Sequence, residues 1–318
     1  KNASHHFSWH TVPVFFHSCN FTGAFSDAAM KIITKFHMVT VEKGHRVFET
    51  PSVYAEDAIL TAFKRIKAMN PKISTIFYYN SVLDWSFYRM HDRLLERPDL
   101  CLPSGLKDGL LCLNHGDPTF PNHTEMLVYD LSKQAGRDFW ISECVNMTKT
   151  GYVDGCFSDR AIQPPKCDFE SEEYRKAYDE GHELVHQQLQ QAIGNGILIA
   201  NHAVNMTNVS AVQLEHFVAD AEWIETLNAT GKLGKLVQVH AGSRRKKHKH
   251  GKRHIKVTEP IEEGPHCSEN VVHSLAAFLI AARTLSYYAC SHHWDLDSDP
   301  IESTVAHVFN GVYSLVAC

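Results

Sequence analysis

Residues 152–159, Tyr-Val-Asp-Gly-Cys-Phe-Ser-Asp, and residues 196–201, Gly-Ile-Leu-Ile-Ala-Asn, are two short apolar runs separated by a long amphipathic segment. Each run could be buried on both faces, which is typical of strands in a parallel sheet. The segment between them opens with Ser-Glu-Glu at residues 171–173 and repeats apolar residues at helical spacing as far as Ile193. This succession of strand, helix and strand predicts a parallel βαβ unit.

Six further runs of the same kind occur along the chain, so eight parallel strands are predicted. They lie at residues 11–17, 36–42, 73–80, 211–216, 235–240 and 285–290, with helical patterns at 52–69 and 267–283. Eight such units in 318 residues favour one α/β domain over residues 1–318, the (β/α)8 or TIM barrel. Two segments exceed a minimal barrel and are predicted as insertions after strands three and seven, at residues 84–150 and 241–266. The first contains a strand pattern at 126–130 and a helix near 132–146, and both are expected over the C-terminal face of the barrel.

The composition is that of a globular protein, with 44% hydrophobic and 21% charged residues. No stretch approaches the ~20 apolar residues of a membrane-spanning helix. Eight of the 31 Lys and Arg residues lie in the run from Arg244 to Lys256, so the rest of the chain carries 23 basic residues against 36 acidic ones. A basic run on an acidic body argues against nucleic acid as a partner. The run is expected to be either a solvated loop or a contact for an acidic polysaccharide.

Glycosylation signals and cysteines indicate the compartment. Seven of the 14 asparagines begin an Asn-x-Ser/Thr sequon, namely Asn2, Asn20, Asn122, Asn146, Asn205, Asn208 and Asn228. Nine cysteines occur without a C-x-x-C pair, which predicts up to four disulfides and one unpaired cysteine, with Cys318 as the candidate. The chain is therefore expected to be a secreted, extracellular or luminal glycoprotein.

Polar side chains end most of the predicted strands, where a barrel of this kind carries its catalytic residues. They are His17, Glu42, Asn80, Asp159, Asn201, His202, Glu215 and His240. Strand ends meet solvent, so some polar residues are expected there in any barrel. Two tryptophans beside strand ends, Trp85 and Trp294, could stack on the apolar face of a sugar ring, with packing in the core as the alternative.

Asp159 and Glu215 are the two carboxylates in this set that suit a reaction. They end strands four and six, which are two apart in the barrel and place such groups on facing sides of a pocket. Glycoside hydrolysis needs two carboxylates across one bond, one as nucleophile or base and the other as proton donor. Each also has a structural alternative, an ion pair of Asp159 with Arg160 or of Glu215 with a nearby histidine.

Three stretches carry a resemblance to a known group of enzymes. Tyr-Asp-Leu-Ser at residues 129–132, Arg-Asp-Phe-Trp at 137–140 and the run at 151–160 resemble barrel glycosidases related to the α-galactosidase and α-amylase groups. Residues 274–282, with the aromatic residues that follow, are similar to uncharacterised glycosyl hydrolases of this type. The resemblance implies a retaining mechanism, with Asp159 at the nucleophile position and Glu215 at the acid/base position. The group often has Asp on strand six, where this chain has Glu.

The sequence thus predicts a secreted glycoside hydrolase without metal or cofactor and with a carbohydrate substrate. The residues expected to hold the sugar are His17, Glu42, Asn80, Trp85, Asn201, His202, His240 and Trp294. The alternative is a catalytically inactive barrel that binds glycans or serves as an extracellular structural or assembly protein.

A competing motif is His-Glu-Leu-Val-His at residues 182–186, which matches the H-E-x-x-H pattern of zinc proteases. We expect its histidines on the solvated flank of a barrel helix, away from the pocket. Phosphate-loop, Rossmann and serine-hydrolase motifs do not occur in the sequence.

Overall fold

Eight parallel strands follow one another around a nearly closed barrel, in the order in which they occur in the chain. The structure is a computed structural model that describes residues 12–105, 110–115, 125–241 and 267–291. Numbered along the chain, the barrel strands are β1 (Phe15–Ser18), β2 (Met38–Val41), β3 (Ser74–Asn80), β7 (Gly155–Asp159), β8 (Ile197–Asn201), β9 (Ala211–Phe217), β10 (Leu236–Ala241) and β11 (Ser286–Cys290). A parallel bridge between Val14 and Tyr288 joins the last strand to the first. The predicted (β/α)8 barrel and its eight strands are confirmed.

Helices fill six of the seven connections between these strands. They are α1 (Asp27–Ile33), α2 (Ala55–Met69), α4 (Gln134–Lys149), α5 (Glu172–Ile193), α6 (Ala221–Lys232) and α7 (Cys267–Ala281). α5 begins where predicted, because the Ser171 side chain caps it by accepting a hydrogen bond from the Tyr174 N–H. Within the described ranges, no helix has both the length and the apolar character needed to span a membrane.

The connection from β3 to β7 holds a small second sheet. Its antiparallel strands are β4 (Leu83–Asp84), β5 (Leu113–His115) and β6 (Glu125–Val128), with α3 (Arg89–Leu95) and a short 3-10 helix (Pro98–Leu100) between them. The predicted strand near residue 126 is β6. The predicted helix near residues 132–146 is α4, the crossover helix of the barrel itself, so the extra structure lies before it in the chain.

Disulfides anchor this connection to the barrel. Cys144–Cys156 joins α4 to β7, and Cys112–Cys167 joins the segment at β5 to the connection that follows β7. Cys290 is also disulfide-bonded. Several predictions lie outside the described residues, namely those for Cys318, Trp294, Asn2, Asn122 and residues 242–266.

Alternate side chains along each strand point into the barrel or out toward the helices. The inner core is a separate apolar cluster that includes Phe15, Tyr78, Phe157 and Ile199. The residues two positions further along these strands share the same inward direction. The barrel therefore presents its inner side chains at the C-terminal end as one ring.

Candidate active site

Every barrel strand supplies a polar inward residue at or just beyond its C-terminal end. In the order of the strands, these are His17, Glu42, Asn80, Asp159, Asn201, Glu215, His240 and Ser291. Asp159, Glu215 and Ser291 are partly exposed, whereas the other five are buried. The structure therefore brings together the strand-end residues predicted from the sequence and leaves both candidate carboxylates within reach of solvent.

Asp159 is held by four hydrogen-bond donors. Oδ2 accepts from the Tyr78 hydroxyl at 2.6 Å and from Asn80 Nδ2 at 3.1 Å. Oδ1 accepts from Asn201 Nδ2 at 3.1 Å and from the Arg160 backbone N–H at 2.8 Å. Arg160 thus contacts Asp159 through its main chain, and the donors fix the carboxylate at the mouth of the barrel.

Glu215 has a looser environment than Asp159. Its Oε2 accepts a hydrogen bond of 2.8 Å from Asn201 Nδ2, and its side chain is 18% exposed. The Nε2 atoms of His202 and His216 lie 3.8 and 3.6 Å from its carboxylate oxygens. Burial lowers the pKa of His202, which favours a neutral imidazole beside Glu215.

The Asn201 amide links the two carboxylates. Since both hydrogen bonds meet at one nitrogen, Asp159 Oδ1 and Glu215 Oε2 are at most 5.9 Å apart, the sum of the two lengths, 3.1 and 2.8 Å. Carboxyl groups of retaining glycosidases are about 5–5.5 Å apart, and those of inverting enzymes about 6.5–9.5 Å. The limit found here applies to one oxygen of each group, and it is compatible with the retaining spacing.

The backbone turns left-handed directly after each of these three residues. Arg160, His202 and His216 have φ angles of 56°, 58° and 60°. Such angles are uncommon for residues other than glycine and concentrate at functional sites. His216 is also the extra residue of a β-bulge, because Glu215 lies level with His240 and the next pair in register is Phe217 with Ala241. These turns carry no glycine or asparagine, so sequence gave no signal for them.

A buried ion-pair cluster lies on the β1–β2 side of the ring. His17 Nε2 is 2.9 Å from Glu42 Oε1, and Lys43 Nζ is 3.0 Å from Glu42 Oε2. Burial alone would raise the pKa of Glu42, but Lys43 and His17 lower it to about 2. Lys43 also lies 4.6 Å from the ring centre of Tyr78 and 5.2 Å from that of Trp85. Lys43 was not predicted as a site residue, although it directly follows Glu42 at a strand end.

Two further predicted residues, His240 and Trp85, are buried. His240 donates to or accepts from Ser291 Oγ at 2.7 Å, and burial lowers the pKa of His240 far enough to keep it neutral. Trp85 is only 5% exposed and stacks on Phe87, so it packs in the wall of the site more than it presents a free face.

The histidines of the H-E-x-x-H motif are buried, and the prediction of a solvated helix flank is wrong. His182 Nε2 is 2.9 Å from Ser81 Oγ, and His186 Nε2 is 2.8 Å from Ser158 Oγ. Burial lowers the pKa of His182 to about 3 and of His186 to about 4, so both imidazoles are neutral. Glu183 is exposed on another side of α5. The serines on the barrel wall provide the polar partners that allow histidine to fill a helix stripe facing the sheet.

The fold and the polar ring at its C-terminal end place the protein in the class of (β/α)8 barrels with a strand-end site. The family model described as hypothetical glycosyl hydrolase family 15 matches residues 67–305, and the chain belongs to this family. No curated protein matches the sequence.

Two solved structures illustrate the similarity in fold. The cycloalternan-degrading enzyme from Trueperella pyogenes is 12% identical with a TM-score of 0.59, covering 98% of this chain and 48% of its own. A variant of the glycoside hydrolase domain of PelA from Pseudomonas aeruginosa is 13% identical with a TM-score of 0.50, covering 90% and 98%. The chain thus spans about half the length of the cycloalternan-degrading enzyme and nearly all of the PelA domain. At these identities the likeness is one of fold.

Proposed function

We propose that this protein is a retaining glycoside hydrolase with Asp159 as nucleophile and Glu215 as acid/base. The observation that carries the proposal is the shared Asn201 amide, which keeps one oxygen of each carboxylate within 5.9 Å of the other, the sum of the two hydrogen-bond lengths. Membership of a glycosyl hydrolase family supports the general activity. The roles of the two carboxylates follow from their different surroundings.

In the first step, an Asp159 oxygen bonds to the anomeric carbon while the bond from that carbon to the leaving oxygen breaks. Glu215 gives its proton to the leaving oxygen, so the sugar remains as an ester of Asp159. A nucleophile needs a fixed direction of attack, and four donors hold the Asp159 carboxylate.

In the second step, the Glu215 carboxylate takes a proton from water, and the water oxygen bonds to the anomeric carbon. The bond from that carbon to Asp159 breaks, which releases the sugar and restores both groups. Glu215 suits this exchange of protons because it is partly exposed and because, among the described residues, Asn201 is its one donor within hydrogen-bond distance.

The sugar would be held by the rest of the ring. Carboxylates accept hydrogen bonds from hydroxyl groups, and amides and neutral imidazoles both donate and accept, which supports a carbohydrate ligand. The residues proposed for this role are His17, Glu42, Asn80, Trp85, His202, His240 and Trp294. An acidic polysaccharide could further contact the basic run from Arg244 to Lys256.

We also propose that the protein is secreted and glycosylated. Among the described sequons, Asn146, Asn205 and Asn208 are exposed, and Asn20 and Asn228 are partly exposed, so the acceptor nitrogens lie at the surface. Disulfides within the barrel are typical of an oxidising compartment. Mass spectrometry of the secreted protein before and after glycosidase treatment tests occupancy at these sites.

The enzymatic proposal is tested with a panel of α- and β-linked 4-methylumbelliferyl glycosides, followed by NMR of the first product anomer. We expect turnover with retained configuration. A 2-deoxy-2-fluoro glycoside of the accepted sugar should add its glycosyl mass to the peptide that contains Asp159.

Asp159→Ala should abolish turnover, and azide should restore it as a glycosyl azide, whereas Asp138→Ala, at an exposed position on α4, should keep full activity. Inverted product, or label on another residue, would contradict the assignment. Sugar binding by calorimetry without turnover of any glycoside would favour the inactive glycan-binding barrel instead.

A further inference from the structure

Asn201 occupies the position between the two candidate catalytic carboxylates. It ends β8, which separates β7 from β9, and it is only 3% exposed. Its Nδ2 lies 3.1 Å from Asp159 Oδ1 and 2.8 Å from Glu215 Oε2. Chemistry fixes the orientation of the amide, because the oxygens of the Asp159 carboxylate, as an ionised nucleophile, only accept hydrogen bonds and the nitrogen must therefore face them.

Both N–H bonds of this nitrogen are used, one by each carboxylate. The amide oxygen is buried and has no hydrogen-bond partner within the part of the chain that the structure describes. Asn201 therefore has no donor left for a sugar hydroxyl, which was the role first expected for it. Its donors act on the carboxylates themselves.

Building on the proposed function, we propose that Asn201 is a positioning residue that fixes the spacing of Asp159 and Glu215 and stabilises negative charge on either one. Two carboxylates this close repel each other, which disfavours ionisation of the pair. During the first step the charge passes from Asp159 to Glu215. A donor bonded to both stabilises the charge before and after that transfer, without any movement of the chain.

Other charged and titratable groups also face the pair. Lys43, from the end of β2, acts on Asp159, and the Tyr78 hydroxyl of β3 bonds to it. His202, which follows β8, lies near both carboxylates, and His216 of β9 lies beside Glu215. A substitution at Asn201 leaves these four residues in place. A shift in the titration of both carboxyl groups would therefore be caused by the loss of the Asn201 amide.

The test uses Asn201→Leu, which keeps the approximate size of the side chain and removes its donors. Carboxyl carbons of Asp and Glu are labelled with ¹³C and titrated by NMR, with Asp159→Asn and Glu215→Gln assigning the two signals. We expect both titration midpoints to rise by about one pH unit, as for loss of a charge-assisted hydrogen bond. Both limbs of the pH profile of kcat/KM should shift upward with them.

Tyr78→Phe is the matched control, since it removes a donor from Asp159 alone. It should raise the midpoint of Asp159 and leave that of Glu215 in place. An unchanged Glu215 midpoint in Asn201→Leu, with a native amide spectrum, would overturn the proposal. If Asn201→Leu does not fold, Asn201→Ala is titrated in the same way and judged by the same result. If the wild type hydrolyses no glycoside but both midpoints move, the proposed function fails while the positioning role stands.

Discussion

Glu215 and Asp159 differ in how firmly they are held, and this difference has a kinetic consequence. A more basic leaving group depends more on protonation by the general acid. Glu215→Gln should therefore slow hydrolysis more for substrates with basic leaving groups than for those with acidic ones. We expect kcat/KM to fall by about 10²–10⁴-fold for 4-methylumbelliferyl glycosides and far less for 2,4-dinitrophenyl glycosides. Steady-state kinetics across leaving groups measure this. Glu183→Gln, at an exposed position on α5, is the control and should change neither rate. An equal loss for all leaving groups would show that Glu215 is not the proton donor.

Lys43 neutralises a buried carboxylate, so its removal should be costly for stability. The side chains of Lys43 and Glu42 are 16% and 6% exposed. Lys43→Met removes the ammonium partner of Glu42 and leaves the His17 contact, and we expect a loss of about 3 kcal/mol in the free energy of unfolding by urea. Lys176→Met is the matched control, because Lys176 and Glu180 are 77% and 69% exposed and their pair should contribute less than about 1 kcal/mol. Equal effects of the two changes would count against a buried pair.

At the scale of single residues, the sequence predicts which residues belong to the ring at the strand ends, but it does not predict the hydrogen bonds between them. Strand-end position was enough to select His17, Glu42, Asn80 and His240. It could not predict that one amide would join two carboxylates, because that contact depends on the stagger of three strands. Tyr78 was missed for a related reason, since only its hydroxyl reaches the site while its ring packs in the barrel core.

At the scale of elements, α5 is fixed to the barrel wall by hydrogen bonds from buried histidines. His186 is fully buried between Ser158 Oγ and the His182 carbonyl, at 2.8 and 2.7 Å from its two ring nitrogens. His186→Leu should cost about 2–3 kcal/mol, since it leaves the serine hydroxyl unpaired. Adding Ser158→Ala should cost less than the sum of the single changes, with a coupling of about 1 kcal/mol in a double-mutant cycle.

His273→Leu, at an exposed position on α7, provides the control for the histidine substitution and should change stability by less than about 0.5 kcal/mol. Strict additivity of His186→Leu and Ser158→Ala would mean that the hydrogen bond does not contribute to packing of the helix.

Periodicity predicted the existence of α5 and the eight strands, but it left His182 and His186 out of the buried stripe of α5. Treating histidine as polar moved the expected buried stripe away from His182 and His186. The partners that make their burial favourable are Ser81, which directly follows β3, and Ser158 on β7. Their proximity to the helix is a property of the assembled barrel, which a local pattern does not contain.

At the scale of the whole molecule, buried neutral histidines make stability depend on pH. Burial lowers the pKa of His45 and His182 to about 3 and that of His186 to about 4, against 6.5 in the unfolded chain. Below pH 6.5 the unfolded chain binds more protons at these sites, so their contribution is present above 6.5 and is lost as pH falls toward the folded values. Burial raises the pKa of Glu143 to about 7, and this group favours the folded state as pH falls from 7 to 4.5.

Of these four groups, three oppose folding in acid and one favours it. Their net effect is a loss of about 3 kcal/mol per pH unit between pH 6 and 4.5, at about 1.4 kcal/mol per group. His202 and His240, whose pKa values burial also lowers, act in the same direction as the three histidines. We expect Tm, followed by circular dichroism, to fall steeply over this range. His186→Leu should reduce the slope by about one third to one half, although it lowers stability at neutral pH. A Tm that is constant or rises on acidification would contradict the buried, neutral state of these histidines.

Among the described residues, one bridge, between Val14 and Tyr288, joins the two edge strands of the barrel. In the order of strands, β7 and β8 lie in the middle, β9 lies next to β8, and β1 and β11 lie at the two ends. Asp159 and Asn201 therefore lie on the two strands farthest from the edges of the sheet, and Glu215 lies on the adjacent strand. Transient parting of the edges would expose the Tyr288 amide to hydrogen exchange before the central strands lose any hydrogen bond. We therefore expect hydrogen exchange to be faster at the Tyr288 amide than in β7 and β8.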